Sequence, residues 1–170
     1  MADYFYLYYY MDMVIILAIL AIASIVYNLT LPEIPESISA TAHIENRKSW
    51  YFSVYSIGTG TLLLIPWIEA TPETWQFLVF ISCMGMIFAG ATPLFKSEFQ
   101  APIHYAAGII SVLAWIAWMI LVGNPWHLLA CVGLYIIACV GNWKNFIYWA
   151  EIIPLTYTTI LLLKIWIRNL

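Results

Sequence analysis

Six long apolar segments occupy nearly the whole of this 170-residue chain, and only short connectors separate them. A run of about 20 apolar residues is long enough to cross the hydrocarbon core of a bilayer. Because lipid offers no hydrogen-bond partner to the backbone, such segments must form helices that satisfy their own amide groups. The sequence therefore predicts an all-α, polytopic membrane protein, with residues 1–170 forming a single domain, a six-transmembrane-helix bundle.

The boundaries of the six helices follow from the apolar runs and from the prolines and glycines that interrupt them. The predicted helices are residues 11–31, 49–67, 72–91, 102–122, 126–141 and 146–167. The aromatic run at residues 4–10 precedes the first of them, and we interpret it as an interfacial belt because aromatic rings collect at the membrane–water boundary. An even number of spans predicts that both termini lie on the same side.

Charged residues are scarce: they make up 9% of the chain, and only six are Lys or Arg. So few cations cannot form a basic surface for nucleic acid. The predicted partners are therefore membrane lipids and, for a bundle of this kind, a second copy of the chain or another membrane protein. Basic residues in short loops favour the cytoplasmic side, which places the connectors after helices one, three and five there and both termini outside. Those connectors hold Arg47, Lys48, Lys96 and Lys144.

Small and polar residues recur at helical spacing on three of the predicted helices. They are Ser49, Ser53, Ser56 and Gly60 on the second, Ser82, Gly85, Ala89 and Thr92 on the third, and His104, Gly108, Ser111 and Trp115 on the fourth. Residues three or four positions apart share a helix face, and in lipid such faces let helices approach closely and hydrogen-bond. The pattern predicts close packing of helices two, three and four; a polar-lined pocket between them is the alternative.

Two ionisable residues lie within apolar segments near the same membrane face. Glu151 lies about 9 Å into the last helix, counted from Asn145, and a charge at membrane depth costs about 2.5–3.5 kcal/mol on insertion scales. We therefore predict that Glu151 is functional or specifically paired. His104 lies in the first turn of the fourth helix, and we expect it to approach Glu151 directly, through Ser39 or a water, or through a shared ligand.

The connectors after odd-numbered helices must lie on one face, and this brings five candidate ligand-binding residues together. They are Ser39, His43, Glu98, His104 and Glu151. Imidazoles and carboxylates at the mouth of a bundle can bind a metal, shuttle protons or hold a polar head group. The plainer interpretation is that His43 and Glu98 are solvated loop residues and that His104 bonds to a neighbouring helix. His127 begins the fifth helix on the opposite face, where we assign it an interfacial role.

Two short tracts resemble a known family. The first is Ser-Ile-Ser-Ala at residues 37–40, followed by His43 and an aromatic start to the second helix; the second is Ile-His-Tyr-Ala-Ala at residues 103–107. Both are similar to uncharacterised bacterial multi-helix membrane proteins grouped as domain of unknown function 998 and their Frag1-like relatives. The resemblance covers residues 30–120 and implies a bacterial inner-membrane protein.

That family is thought to be similar to the CREST group of membrane proteins, which includes alkaline ceramidases. Membership would imply a helical bundle that acts on lipids, with a metal held by histidines together with Ser and Asp. Ser39 and His104 are the positions that match the motifs. The chain departs from the hydrolase pattern, since it has three histidines in all and no Asp after residue 12.

Three functions are left open by the sequence, and a fourth, a proton-coupled transporter, is disfavoured because the chain has no internal repeat and only one deep carboxylate. The first is binding of a lipid or other amphiphile in a polar pocket at the face that holds the five residues. The second is a metal-dependent lipid hydrolase, with His43 and His104 as ligands and Glu98 or Glu151 as ligand or base. The third is a structural or accessory membrane subunit. No phosphate loop, HExxH or GxSxG motif is present, so the sequence assigns neither an activity nor a cofactor.

Overall fold

The computed structural model describes residues 2–31, 33–43, 49–93, 97–123, 125–141 and 143–168, with side chains from residue 9 onward. It contains six α-helices, and the described residues include no strand. They are α1 (Ala2–Leu29), α2 (Trp50–Glu69), α3 (Gln76–Ala91), α4 (Gln100–Leu121), α5 (Pro125–Gly141) and α6 (Phe146–Ile167). Short 3-10 segments cover Ser39–His43, Glu73–Trp75 and Trp143–Asn145. The all-α prediction is confirmed.

Five of these helices are long and apolar enough to cross a membrane. The sixth, α5, has 17 residues and is about 25 Å long, slightly less than a hydrocarbon core of about 30 Å. Large aliphatic side chains are exposed along the outside of the bundle, including Ile15, Ile19, Ile22 and Ile25 on α1 and Ile136, Ile137 and Val140 on α5. Such a surface is suited to lipid rather than to water, as expected for an integral membrane bundle.

The first helix begins earlier than the sequence predicted. The structure places the aromatic run of residues 4–10 inside α1, which starts at Ala2 rather than at residue 11. The rings of Tyr9 and Tyr10 pack on Trp166 near the end of α6, with ring centroids 6.0 and 5.4 Å apart. This contact places the beginning of α1 beside the end of α6, so an aromatic run that looked like a membrane anchor also joins two helices.

The bundle has two ends, which we call the connector face and the terminus face. The connectors after α1, α3 and α5 lie at the connector face: Asn145 Nδ2 donates to the carbonyl oxygens of Ile34 and Pro35, and the Phe52 ring lies 6.0 Å from that of His104. The ends of α2, α4 and α6 lie at the terminus face, together with the beginning of α1. The topology predicted from the helix count is therefore the one observed.

Helices α2, α3 and α4 pack closely through the small and polar residues noted above. A Cβ added at Gly60 would lie 2.9 Å from the Cys83 carbonyl oxygen, and one at Gly85 would lie 2.7 Å from that of Ala107. The Ser82 and Ser111 hydroxyls each donate to the other residue's backbone carbonyl, at 3.1 and 2.7 Å. These contacts confirm the packing interpretation of the polar faces.

Gly108 does not follow this pattern. A Cβ added there would meet nothing within 4 Å, so Gly108 does not take part in the close packing that its place in the pattern predicted. One helical turn away, Ser111 faces α3 directly, whereas Gly108 is offset enough to leave open space beside it.

Tags at the two ends of the chain provide a test of this topology. Because the beginning of α1 packs on the end of α6, we expect tags at the N-terminus and the C-terminus to become accessible to a membrane-impermeant reagent on the same side of sealed vesicles. Protection of one tag and labelling of the other would contradict the six-span topology, and the short helix α5 would then be the span to reconsider.

Candidate functional site at the connector face

The connector between α1 and α2 folds back onto the beginning of α6. The Tyr148 backbone N–H, in the first turn of α6, donates to the Glu36 carbonyl oxygen at 3.0 Å. The first amide groups of a helix have no partner within the helix, and this connector supplies one. Asn145, just before α6, donates to the carbonyl oxygens of Ile34 and Pro35 at 2.5 and 2.9 Å. The connector is thereby fixed over the mouth of the bundle.

Glu151 accepts a hydrogen bond from this connector. Its Oε2 atom lies 2.5 Å from the backbone nitrogen of Ile38, and the side chain is partly buried. This is the one hydrogen bond that the carboxylate makes with the described residues. The expectation of a specific partner is met, but the partner is a backbone amide rather than a histidine.

A row of hydroxyl groups runs beside that bond. Ser37 and Ser39, both buried, are joined through their Oγ atoms at 3.0 Å, and the Ala40 N–H donates to Ser37 Oγ at 3.0 Å. The Thr41 hydroxyl donates to the Ile38 carbonyl oxygen at 2.5 Å. Ile38 is therefore held at both its amide and its carbonyl, which fixes the direction in which its N–H points toward Glu151.

Tyrosines from three helices continue the polar network. The Tyr27 hydroxyl is hydrogen-bonded to Thr41 Oγ1, and the Tyr27 ring stacks on Tyr55 with centroids 4.0 Å apart. The Tyr148 hydroxyl donates to Asn28 Oδ1 at 2.5 Å. These contacts connect α1, α2 and α6 beneath the connector, so the polar groups around Glu151 lie in a packed environment and not in a loose loop.

His104 has a different environment. Its Nδ1 lies 3.1 Å from the carbonyl oxygens of both Ala89 and Thr92, at the end of α3. Because both partners are acceptors, Nδ1 is assigned the proton. The last carbonyls of a helix have no partner within it, so buried His104 serves as a side-chain cap for α3. No direct hydrogen bond joins it to Glu151, whose bond within the described part of the chain goes to Ile38; a shared ligand stays a prediction.

The other two candidate residues lie at the surface. His43 ends the Ser39–His43 segment and Glu98 lies just before α4, and both are exposed. The structure thus brings Ser39 and Glu151 into one network. The Phe52 ring packs against that network, and the His104 ring lies 6.0 Å from the Phe52 ring. His43 and Glu98 lie at the rim. Among the described residues, no group of three or more His, Cys, Asp or Glu side chains is placed to hold a metal ion.

Several members of the network were not identified from the sequence. Tyr27, Asn28, Thr41, Tyr55 and Tyr148 are ordinary residues of apolar or connecting segments, and no spacing rule joins them. The available signal was positional: Asn28 lies in the last turn of α1, where the final backbone carbonyls have no partner within the helix.

Comparison with protein-family models, with curated proteins and with solved structures finds no match to this chain.

Proposed function

We propose that this integral membrane protein binds a lipid or other amphiphile at the connector face, through Ser39, His43, Glu98, His104 and Glu151. The observation that carries the proposal is the environment of Glu151. A carboxylate lies near the membrane surface, bonded through one oxygen to the Ile38 amide and partly exposed. A carboxylate can accept several hydrogen bonds, and its second oxygen makes none with the described residues, so that oxygen could accept one from a ligand.

The chemistry of this face favours a head group that donates hydrogen bonds. The carboxyl oxygens of Glu151 and Glu98 are hydrogen-bond acceptors, and the hydroxyls of Ser37 and Ser39 are buried beside the first of them. An ammonium group such as that of ethanolamine would offer the N–H donors that these acceptors bind. The acyl chains of a lipid with such a head group would extend along the exposed apolar surface of α1, at Ile22, Ile25 and Val26.

A second polar group in the same region supports the proposal. The indole nitrogen of Trp149 is buried and has no hydrogen-bond partner in the part of the chain that the structure describes, and Trp149 packs against the Tyr27–Tyr148 cluster. Buried donors are nearly always satisfied. An ester or phosphate oxygen of a bound amphiphile would supply the acceptor.

The two other functions have less support. A metal-dependent hydrolase needs at least three protein ligands around its metal, and the described residues do not bring three together; Nδ1 of His104 is also engaged with α3. An accessory subunit agrees with the packing role of the polar faces on α2, α3 and α4, but it assigns no role to the Glu151 oxygen that makes no hydrogen bond with the described residues. The resemblance to the bacterial family, the bacterial cell membrane as location and a homo-oligomer or membrane partner remain parts of the proposal.

Native mass spectrometry of the detergent-purified protein would test the proposal. We expect phosphatidylethanolamine to be retained by the wild-type protein and by Ser56→Ala, a matched hydroxyl deletion at the α2–α3 contact, where Ser56 Oγ donates to the Met86 carbonyl. Ser39→Ala and Glu151→Gln should lose most of that lipid, because hydrogen bonds to a charged group contribute about 1.5–3 kcal/mol. The same lipid occupancy in all four proteins would refute the site.

A further inference from the structure

A cavity of about 470 Å³ opens at the terminus face, at the opposite end of the bundle from Glu151. Pockets of this size are typical of small-ligand sites. It is bounded by the ends of α2, α4 and α6 and by the beginning of α5. The lining residues are Ala70, Trp118, Val122, Gly123, His127, Leu161, Lys164, Ile165 and Arg168.

The short length of α5 accounts for the cavity. His127, two residues after the start of α5, is hydrogen-bonded through Nδ1 to the Tyr157 hydroxyl at 2.5 Å. Beyond Tyr157, α6 continues for ten more residues to Ile167, about 15 Å of helix. The last part of α6 therefore extends past the beginning of α5, and the space beside it is left without a helix.

The walls of this cavity form a gradient from apolar to basic. Leu161, Lys164, Ile165 and Arg168 lie on one face of α6, since they are three, four and seven positions apart. Leu161 and the buried Trp118 are deeper in the bundle, whereas Lys164 and Arg168 lie at its end and are exposed. A ligand that matches this gradient has an apolar part directed into the membrane and a charged group at the surface.

The charged side chains that line the cavity are all basic. Lys164 and Arg168 are cationic, His127 contributes an imidazole, and none of the described residues that line the cavity is acidic. The beginning of α5 adds partial positive charge, and the ends of α2, α4 and α6 add partial negative charge of about half an electron each. The two full positive charges of Lys164 and Arg168 exceed the net negative partial charge of those four helix ends. The cavity therefore favours an anion.

We propose that this cavity binds the phosphate head group of an anionic phospholipid. Arg168 forms a planar fork of donors that suits phosphate oxygens, and Lys164 provides a point charge beside it. The acyl chains lie against Leu161, Ile165 and the neighbouring exposed apolar surface. This site lies at the opposite end of the bundle from Glu151 and does not depend on the proposed function there.

Nanodiscs of defined composition provide the test. We expect the wild-type protein to retain dioleoyl phosphatidylglycerol in preference to dioleoyl phosphatidylcholine when lipids that stay bound on extraction are measured by native mass spectrometry. Lys164→Gln and Arg168→Gln should each lower that preference about five-fold, since one basic residue near an anionic surface contributes about that factor. Lys144→Gln, which removes an exposed cation at the connector face, is the matched control and should leave the preference unchanged.

Cavity-filling variants separate the site from general surface attraction. Ala70→Leu and Leu161→Trp keep both cations but reduce the space, and we expect them to lower the preference while the melting temperature in phosphatidylcholine stays near that of the wild type. An equal loss in Lys144→Gln, or no loss in either filled variant that folds, would overturn the proposal. Displacement of the lipid by millimolar inorganic phosphate as effectively as by phosphatidylglycerol would also overturn it, because the acyl chains would then contribute nothing.

Discussion

Replacing Gly85 with alanine should lower the free energy of unfolding by about 1–3 kcal/mol, the usual range for overpacking a close contact. The new Cβ would lie 2.6 Å from the Ser111 Cβ and 2.7 Å from the Ala107 carbonyl oxygen. The second of these atoms belongs to the α4 backbone and cannot move without shifting the helix. Gly85→Leu should be worse still. Thermal unfolding in a single detergent, followed by circular dichroism, would measure the change.

Gly108→Ala is the matched control for this prediction. It makes the same chemical change on the facing helix, but a Cβ there meets nothing within 4 Å. Because alanine favours helix over glycine by about 1 kcal/mol, Gly108→Ala should be neutral or slightly stabilising. Equal destabilisation by the two substitutions would show that the α3–α4 contact is not formed as described.

Glu151→Leu should release the connector between α1 and α2 from the bundle. Leucine offers no acceptor to the Ile38 N–H, which lies 2.5 Å from Glu151 Oε2 in the structure, and an unsatisfied donor costs about 1–3 kcal/mol. We expect hydrogen exchange at the Ile38 amide to become about 5- to 150-fold faster, the factor that corresponds to this loss. Local exchange is the better measurement here, since replacing a polar carboxyl group at membrane depth by an apolar side chain raises overall stability and offsets part of the effect.

Glu151→Gln distinguishes the hydrogen bond from the charge. Glutamine keeps a carbonyl oxygen that can accept from Ile38, but a neutral acceptor forms a weaker bond than a carboxylate. The exchange rate should therefore rise by a smaller factor than in Glu151→Leu, while retention of an ammonium-bearing lipid falls. Exchange at Ile38 that is identical in Glu151→Leu and wild type would mean that Glu151 does not hold the connector.

Most of the fold could be predicted from the sequence because the bilayer imposes length and helical geometry directly. The last helix was predicted as residues 146–167, and α6 is Phe146–Ile167. The largest error was at α1, which starts at Ala2 because the aromatic residues 4–10 continue the helix before it enters the apolar segment. Aromatic side chains indicate the membrane boundary, but they do not indicate where a helix begins.

The candidate site was only partly predictable. A deep carboxylate must have a partner, so Glu151 could be identified from its position alone. Its partner could not, because the Ile38 amide is a backbone group and every residue except proline carries one. His104 illustrates the opposite case. Its residue type suggested ligand chemistry, whereas its position one turn into α4 places it against the backbone carbonyls of Ala89 and Thr92 at the end of α3.

The amino-acid sequence by itself determined that this chain spans the membrane as a helical bundle, because the thickness of the lipid bilayer is fixed. It also determined which helix faces are small and polar, because the period of a helix is fixed. Only the tertiary structure decided which groups meet. It joins Glu151 to a connector 113 positions away along the chain, and it leaves a basic cavity beyond the beginning of α5. Both depend on how far each helix extends beside its neighbours, and that is set by packing between segments that are distant in the sequence.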